Sequence, residues 1–136
     1  MDKPVRVLFV CTGNSCRSQM AEGWANYLGG GRVEAYSAGV SPIGVVPATV
    51  AVMAEAGVDI SGQRSKSVDI FVGEEFDYVI TLCDNARERC PYFPGAAKRL
   101  HWPIDDPHGL GLADYRRARD EIRARVEAFL NELDGL

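Results

Sequence analysis

The run Val5-Arg6-Val7-Leu8-Phe9-Val10 passes without a break into Cys11-Thr12-Gly13-Asn14-Ser15-Cys16-Arg17-Ser18, and this junction constrains the fold more than any other segment. Apart from Arg6, the first six residues are β-branched, aliphatic or aromatic, the pattern of a strand covered on both faces. Ser18 is expected to cap a helix running to about Leu28, where Gly29-Gly30-Gly31 stops it. A buried strand, a short loop and a helix make the opening of an α/β fold.

The rest of the chain keeps that alternation. Val33 to Ser37 reads as a second strand ending at Gly39, and Pro47 to Ala56 as a helix with proline in its first turn. Ser61 to Ser67 is polar and loop-like, and Val68 to Phe76 reads as a short helix and turn. Tyr78 to Leu82 is a third strand leading directly to Cys83, and Arg99 to Trp102 a weaker fourth one before the loop Pro103-Ile104-Asp105-Asp106-Pro107. In the last helix Tyr115, Ala118, Ile122, Val126, Phe129, Leu130 and Leu133 recur at helical spacing. The pattern predicts a single α/β domain, residues 1–136, with a four-stranded parallel sheet flanked by helices on both faces. Ligands in such folds bind beyond the carboxyl ends of the strands, where Cys11, Cys83 and the Asp105-Asp106 loop should meet.

Bulk properties exclude several classes. The 136 residues are 46% hydrophobic and 25% charged, ordinary for a globular domain. No apolar run approaches the length of a membrane span, and Asp2 and Pro4 stand where a secretory leader would carry basic residues, so a cytoplasmic protein is expected. The net charge of −4 leaves no basic stripe for nucleic acid. Cysteines in a reducing compartment are catalytic, metal-binding or buried. The absence of a CxxC pair and the presence of only two histidines, His101 and His108, argue against zinc; no metal site is expected. His101 and Trp102 read as packing residues.

The spacing Cys11-x5-Arg17 points to a tetrahedral oxyanion. Successive N–H groups of a tight strand-to-helix loop form an anion nest, and the following helix adds its positive end. Arg17 can grip two oxygens in fork geometry. Thr12, Gly13, Asn14, Ser15, Cys16, Arg17 and Ser18 would line the cradle, with the Ser18 hydroxyl donating to the Cys11 sulfur. The same field is expected to lower the Cys11 pKa. Gly13 allows an unusual backbone conformation and Asn14 tolerates the left-handed one. Cys16 itself reads as a small loop residue.

Cys83 and Cys90 form a second constellation, two thiols able to release two electrons on joining. Seven residues apart on a helix, they would share a face but stand ~10 Å apart along the axis. A disulfide needs Cα atoms within about 7 Å. A helix over Asp84 to Arg89 would therefore have to unwind. Asp84 and Asn85 are weak helix formers and Pro91 blocks continuation, so that step is cheap. Arg87 and Arg89 could favour a Cys90 thiolate or simply face water.

The segment Val10-Cys11-Thr12-Gly13-Asn14-Ser15-Cys16-Arg17-Ser18-Gln19-Met20-Ala21-Glu22 resembles the active-site segment of thioredoxin-coupled arsenate reductases, which share their fold with low-molecular-weight protein tyrosine phosphatases. Tyr36-Ser37-Ala38-Gly39, Thr81-Leu82-Cys83 and Asp106-Pro107 extend the resemblance along the chain. It implies a low-molecular-weight phosphatase-like fold and reduction of arsenate to arsenite. Cys11 forms the covalent adduct, a Cys11–Cys83 disulfide follows, and the Cys83–Cys90 redox-active disulfide is returned to the dithiol by thioredoxin. It also implies that Asp106, rather than its neighbour Asp105, supplies the proton. No tightly bound cofactor is implied, phosphate or sulfate should fit the same loop, and a monomer is expected.

Two departures qualify the resemblance. Phosphatases usually follow this Asp-Pro with tyrosines, whereas here Pro107-His108-Gly109-Leu110 stands there, which disfavours a phosphotyrosine substrate. Potassium-stimulated relatives hold a cation with residues matching Asn14, Glu22 and Ser37 plus a later carboxylate. This chain has Gln63-Arg64-Ser65-Lys66 there, so Arg64 or Lys66 either replaces a potassium ion or simply faces water, and little potassium stimulation is expected. The competing readings are a cysteine phosphatase protected by Cys83 and Cys90, and a non-catalytic anion sensor that forms a disulfide on oxidation.

Overall fold

The computed structural model describes residues 3–91, 93 and 98–135. Strand β1 (Val5–Cys11) pairs in parallel with β2 (Val33–Gly39) on one side and β3 (Tyr78–Thr81) on the other, and β3 pairs with β4 (Lys98–His101). The resulting order β2-β1-β3-β4 makes β1 the point at which the chain switches direction across the sheet. The four-stranded parallel sheet expected from the sequence is present. The third strand ends one residue early, at Thr81, and the fourth lies one residue earlier than expected, although the Leu82 and Trp102 amides still donate to the Val10 and Thr81 carbonyls as the pairing ends.

Side chains alternate along β1 as a pleated strand requires. Val7, Phe9 and Cys11 join a core with α1 (Arg17–Gly29), α2 (Pro47–Glu55) and α4 (Leu112–Asp134). Leu8 and Val10 face the other way, onto the 3₁₀ turn Val68–Phe71, the short helix α3 (Asp84–Arg89) and an aromatic group of Tyr36, Phe71, Phe76 and Phe93. Both faces are thus covered, but unequally: three helices on one, a turn and a six-residue helix on the other.

The apolar stripe predicted for the last helix is the one buried: Tyr115, Ala118, Ile122, Val126, Phe129 and Leu130. Trp102 packs against Phe9 and Phe129 as expected. Helix α1 departs from expectation at its start. Cys16, not Ser18, occupies the N-cap position, with no side-chain cap, and Ser18 lies inside the first turn. Its hydroxyl is used elsewhere, as described below. The other end conforms, with Gly30 left-handed at φ 54°. No helix among the described residues is long and apolar enough to cross a membrane.

Candidate active site

The loop after β1 is held from outside by its carbonyls. Cys11, Thr12, Gly13 and Ser15 accept from the amides of Val40, Ser41, Ile43 and Val46, and the Asn14 carbonyl accepts from Gln19 Nε2. A planar trans peptide points its N–H opposite its C=O. Five outward carbonyls therefore leave the successive amides turned inward, the nest read from the spacing. Asn14 takes φ 47°, the left-handed conformation expected of it. Gly13 does not have positive φ. A Cβ there would make tight side-chain contacts, 3.0 Å to Ile43 Cγ1 and 3.2 Å to Ser15 Oγ.

Cys11 Sγ lies at the floor, 2.8 Å from Ser18 Oγ. Ser18 Oγ accepts from Asn14 Nδ2 at 2.7 Å, so its own hydrogen is free to point at sulfur. That use of the hydroxyl explains why Ser18 does not cap the helix. The expected fall in the Cys11 pKa does not hold. Burial raises the thiol, outweighing the Ser18 hydroxyl, the amides of Ser18 and Asn14, and Arg17, which all pull it down.

Arg17 is 8% exposed. Its Nη1 donates to the Ile104 carbonyl at 2.9 Å, and Nη2 lies 3.6 Å from Asp106 Oδ2. One guanidinium thus ties the anion loop to the loop after β4. Asp106 lines the same cavity of about 190 Å³ as Cys11, Thr12, Gly13, Ser15, Cys16 and Arg17. It also accepts from the His108 amide at 2.9 Å, so it opens a turn as well as facing the cavity. Asp105 does not line the cavity; it is almost fully exposed and pairs with Arg117. Cys16 is more than a small loop residue, being buried in the main core and lining the cavity floor.

Cys83 meets the loop through Thr12. Its sulfur lies 3.3 Å from Thr12 Oγ1, which also accepts from Asn85 Nδ2 at 3.0 Å. Cys83 caps α3, its sulfur accepting from the Ala86 amide, and Cys90 closes the other end. The segment between them is helical, and all four cysteines are free. Burial raises the Cys90 thiol, opposed by Arg99 rather than by Arg87 or Arg89. Arg87 instead pairs with Asp84.

Behind the loop, Lys66 Nζ lies 3.6 Å from Glu22 Oε1 and donates to the Arg64 carbonyl at 2.8 Å. Glu22 accepts from Ser37 Oγ, Ser37 accepts from Asn14 Nδ2, and Asn14 reaches Ser18. The Lys66 amide completes the arrangement by donating to Asn14 Oδ1 at 2.9 Å. Burial lowers the Lys66 pKa while Glu22 opposes the shift. Of the two basic residues expected here, Lys66 is the one whose cation pairs with Glu22, the carboxylate that also accepts from Ser37. Among the described residues no group of three His, Cys, Asp or Glu side chains converges on a metal position.

Four contributors escaped sequence reasoning. Ser41, Ile43 and His108 line the cavity, and nothing in their local pattern marks them. Gly39 was legible only as a strand end. A Cβ there would lie 2.7 Å from the Thr12 carbonyl and 2.8 Å from the Asn14 amide, so only glycine lets β2 pass beneath the loop.

A strand-loop-helix anion cradle with a cysteine at its floor, on a four-stranded parallel sheet, defines a phosphatase-type fold. Residues 6–135 match the family of low molecular weight phosphotyrosine protein phosphatases, and the chain belongs to it. Within that family it is 43% identical over 129 residues to arsenate reductase 2 of Staphylococcus epidermidis, covering 95% of this chain and 98% of the relative. A solved arsenate reductase in its phosphate-binding state superposes with a TM-score of 0.82 at 37% identity, over 94% of this chain and 98% of that one. A low molecular weight protein tyrosine phosphatase from T. tengcongensis superposes at 0.77 with 31% identity, over 94% and 99%.

Proposed function

We propose that this chain reduces arsenate to arsenite by passing oxidation from Cys11 to Cys83 and then to Cys90, with thioredoxin restoring the dithiol. The observation that carries the reading is the Thr12 hydroxyl, which touches Cys83 from within the anion loop, while Cys90 closes the same short helix. A phosphatase needs the loop and an acid such as Asp106, but not the thiol pair.

Arsenate enters the nest of inward amides, with Arg17 forked onto its oxygens. A bound dianion can accept the buried Cys11 proton as sulfur attacks arsenic. Asp106 protonates the departing oxygen, which leaves as water, and a Cys11–As(V) bond remains. Cys83 then attacks Cys11 Sγ. The electron pair of the S–As bond stays on arsenic, which departs as arsenite in the trivalent state, and a Cys11–Cys83 disulfide forms. Cys90 attacks Cys83, Cys11 leaves as a thiolate, and thioredoxin reduces the Cys83–Cys90 disulfide by the same exchange chemistry. The Lys66 ammonium does for the loop what a potassium ion would do, so exchanging sodium for potassium should leave the rate unchanged. A several-fold stimulation would overturn that part of the reading.

The second reading, hydrolysis of a phosphate ester with Cys83 and Cys90 as protection for Cys11, is favoured by the family to which the chain belongs. Arsenate-dependent oxidation of NADPH, coupled through thioredoxin and its reductase, separates the two. Cys90→Ser should abolish repeated turnover while leaving phosphate-ester hydrolysis nearly intact. Sustained arsenate reduction by Cys90→Ser would refute the relay.

A further inference from the structure

We infer that His101 is a positioning residue that latches α3 in its helical, dithiol form and thereby raises the reduction potential of the Cys83/Cys90 pair. The inference rests on the relay proposed above. His101 ends the edge strand β4, opposite Thr81 at the end of β3. Its Nδ1 lies 2.8 Å from Thr81 Oγ1 and its Nε2 lies 3.0 Å from Asp84 Oδ1. Asp84 is the first residue of α3, directly after Cys83. The ring is mostly buried while the carboxylate is exposed, at 18% and 73% side-chain exposure, so the fixed partner is the histidine and the movable one is the helix.

The hydrogen-bond inventory assigns the protons. An ionised carboxylate only accepts, so Nε2 carries hydrogen and donates to Asp84. In the neutral ring Nδ1 then accepts from the Thr81 hydroxyl. In the charged ring Nδ1–H donates to Thr81, whose own hydrogen turns to the Leu100 carbonyl, 3.4 Å away. Thr81 serves either state, and the grip on Asp84 survives both. Arg87, one helical turn on and 3.5 Å from the same oxygen, is the other charged group facing this carboxylate.

The latch bears on redox chemistry because α3 is the segment that must unwind. Cys83 and Cys90 bracket it ~10 Å apart along the axis, and their disulfide needs about 7 Å or less between Cα atoms. Joining them displaces residue 84 relative to the end of β4. The His101–Asp84 bond therefore stabilises the dithiol and not the disulfide, and a stabilised dithiol makes its disulfide a better oxidant. Thioredoxin then has an easier bond to reduce.

The test is the equilibrium of the Cys83–Cys90 disulfide with a dithiothreitol redox buffer, read by mass spectrometry of alkylated peptides. His101→Ala should shift it roughly fivefold towards the disulfide, the net worth of one ordinary hydrogen bond to a solvent-exposed partner, where tenfold would equal about 30 mV. His101→Asn, whose amide reaches only the Nδ1 position, should behave like alanine. His101→Gln, whose amide nitrogen reaches the Nε2 position, should restore the wild-type equilibrium. Asp84→Ala should reproduce the shift, and adding His101→Ala to it should contribute nothing further. Equal shifts in the glutamine and alanine variants, or no shift in either, would overturn the latch. Hydrogen exchange at the Arg87 and Cys90 amides of the reduced protein reads the latch without any disulfide, and should quicken in His101→Ala and not in His101→Gln. A wild type that never joins Cys83 to Cys90, yet shows that exchange pattern, overturns the relay and upholds the latch.

Discussion

The two halves of the site are built on opposite principles. The anion loop between Cys11 and Arg17 is fixed by backbone: five carbonyls engaged from outside, a buried Asn14 in left-handed conformation, and an arginine locked to Ile104 and Asp106. Helix α3 is fixed by side chains: Cys83 and Asn85 on Thr12, Asp84 on His101, and Ala86 in the smaller core. Losing one side-chain contact costs on the order of 1 kcal/mol, whereas dismantling the loop would strand many backbone groups at once. Binding an oxyanion demands fixed donors; carrying electrons away demands a segment that lets go. In the proposed relay one molecule supplies both by varying how the backbone is tied.

If this contrast is right, disturbing the loop should harm chemistry far more than disturbing the helix. Arg17→Lys should produce the largest loss, roughly a hundredfold or more in kcat/KM for arsenate, because a point charge replaces both the fork and the bridge to Ile104. A loss of only a few-fold would mean that the amides alone hold the anion. Asp106→Asn should slow the chemical step about a hundredfold in single-turnover measurements, while Asp105→Asn, outside the cavity and paired with Arg117, leaves it unchanged. Equal effects would remove Asp106 from its role.

Gly39→Ala probes the backbone rigidity directly. The added methyl collides with the Thr12 carbonyl and the Asn14 amide, so denaturant unfolding should show a loss of about 1–3 kcal/mol together with weaker phosphate binding. Full stability and binding would show that the loop yields. The gentlest test is titration of Cys11 in anion-free protein, by iodoacetamide labelling and peptide mass spectrometry. Because burial raises this thiol, labelling should keep climbing above the ordinary thiol value of about 8.5. The sign for stability follows: above about pH 8.5 the unfolded chain gives up this proton first. The contribution of Cys11 is therefore complete below that pH and declines as pH rises towards the higher folded value. A labelling plateau already reached at neutral pH would show that the loop dipoles win over burial.

Legibility in the sequence tracked the range of the forces involved. Strand β1, the glycine stop of α1 and the stripe of α4 were readable because each is dictated by neighbours in the chain. The Cys-x5-Arg loop was readable because nest, helix end and arginine are contiguous. The start of α1 was misread at Ser18, a residue type that favours caps but is drawn here to a sulfur seven positions back. His101 was misread as packing because its partners, Thr81 and Asp84, are brought to it only by the β3–β4 register. The Cys11 titration was misjudged because composition reveals the charges around a thiol but not the depth at which it lies.

By itself, then, the chain determined its layers and its anion loop, since local periodicity and contiguous spacing carry that information. Only the tertiary structure decided that Thr12 reaches Cys83, that the Lys66 ammonium pairs with Glu22, that Asp105 turns away to Arg117, and that Gly39 makes room for the loop. Each of these depends on strands far apart in the chain ending side by side, and a hydrogen bond or a collision exists only once two such ends are brought within a few ångströms.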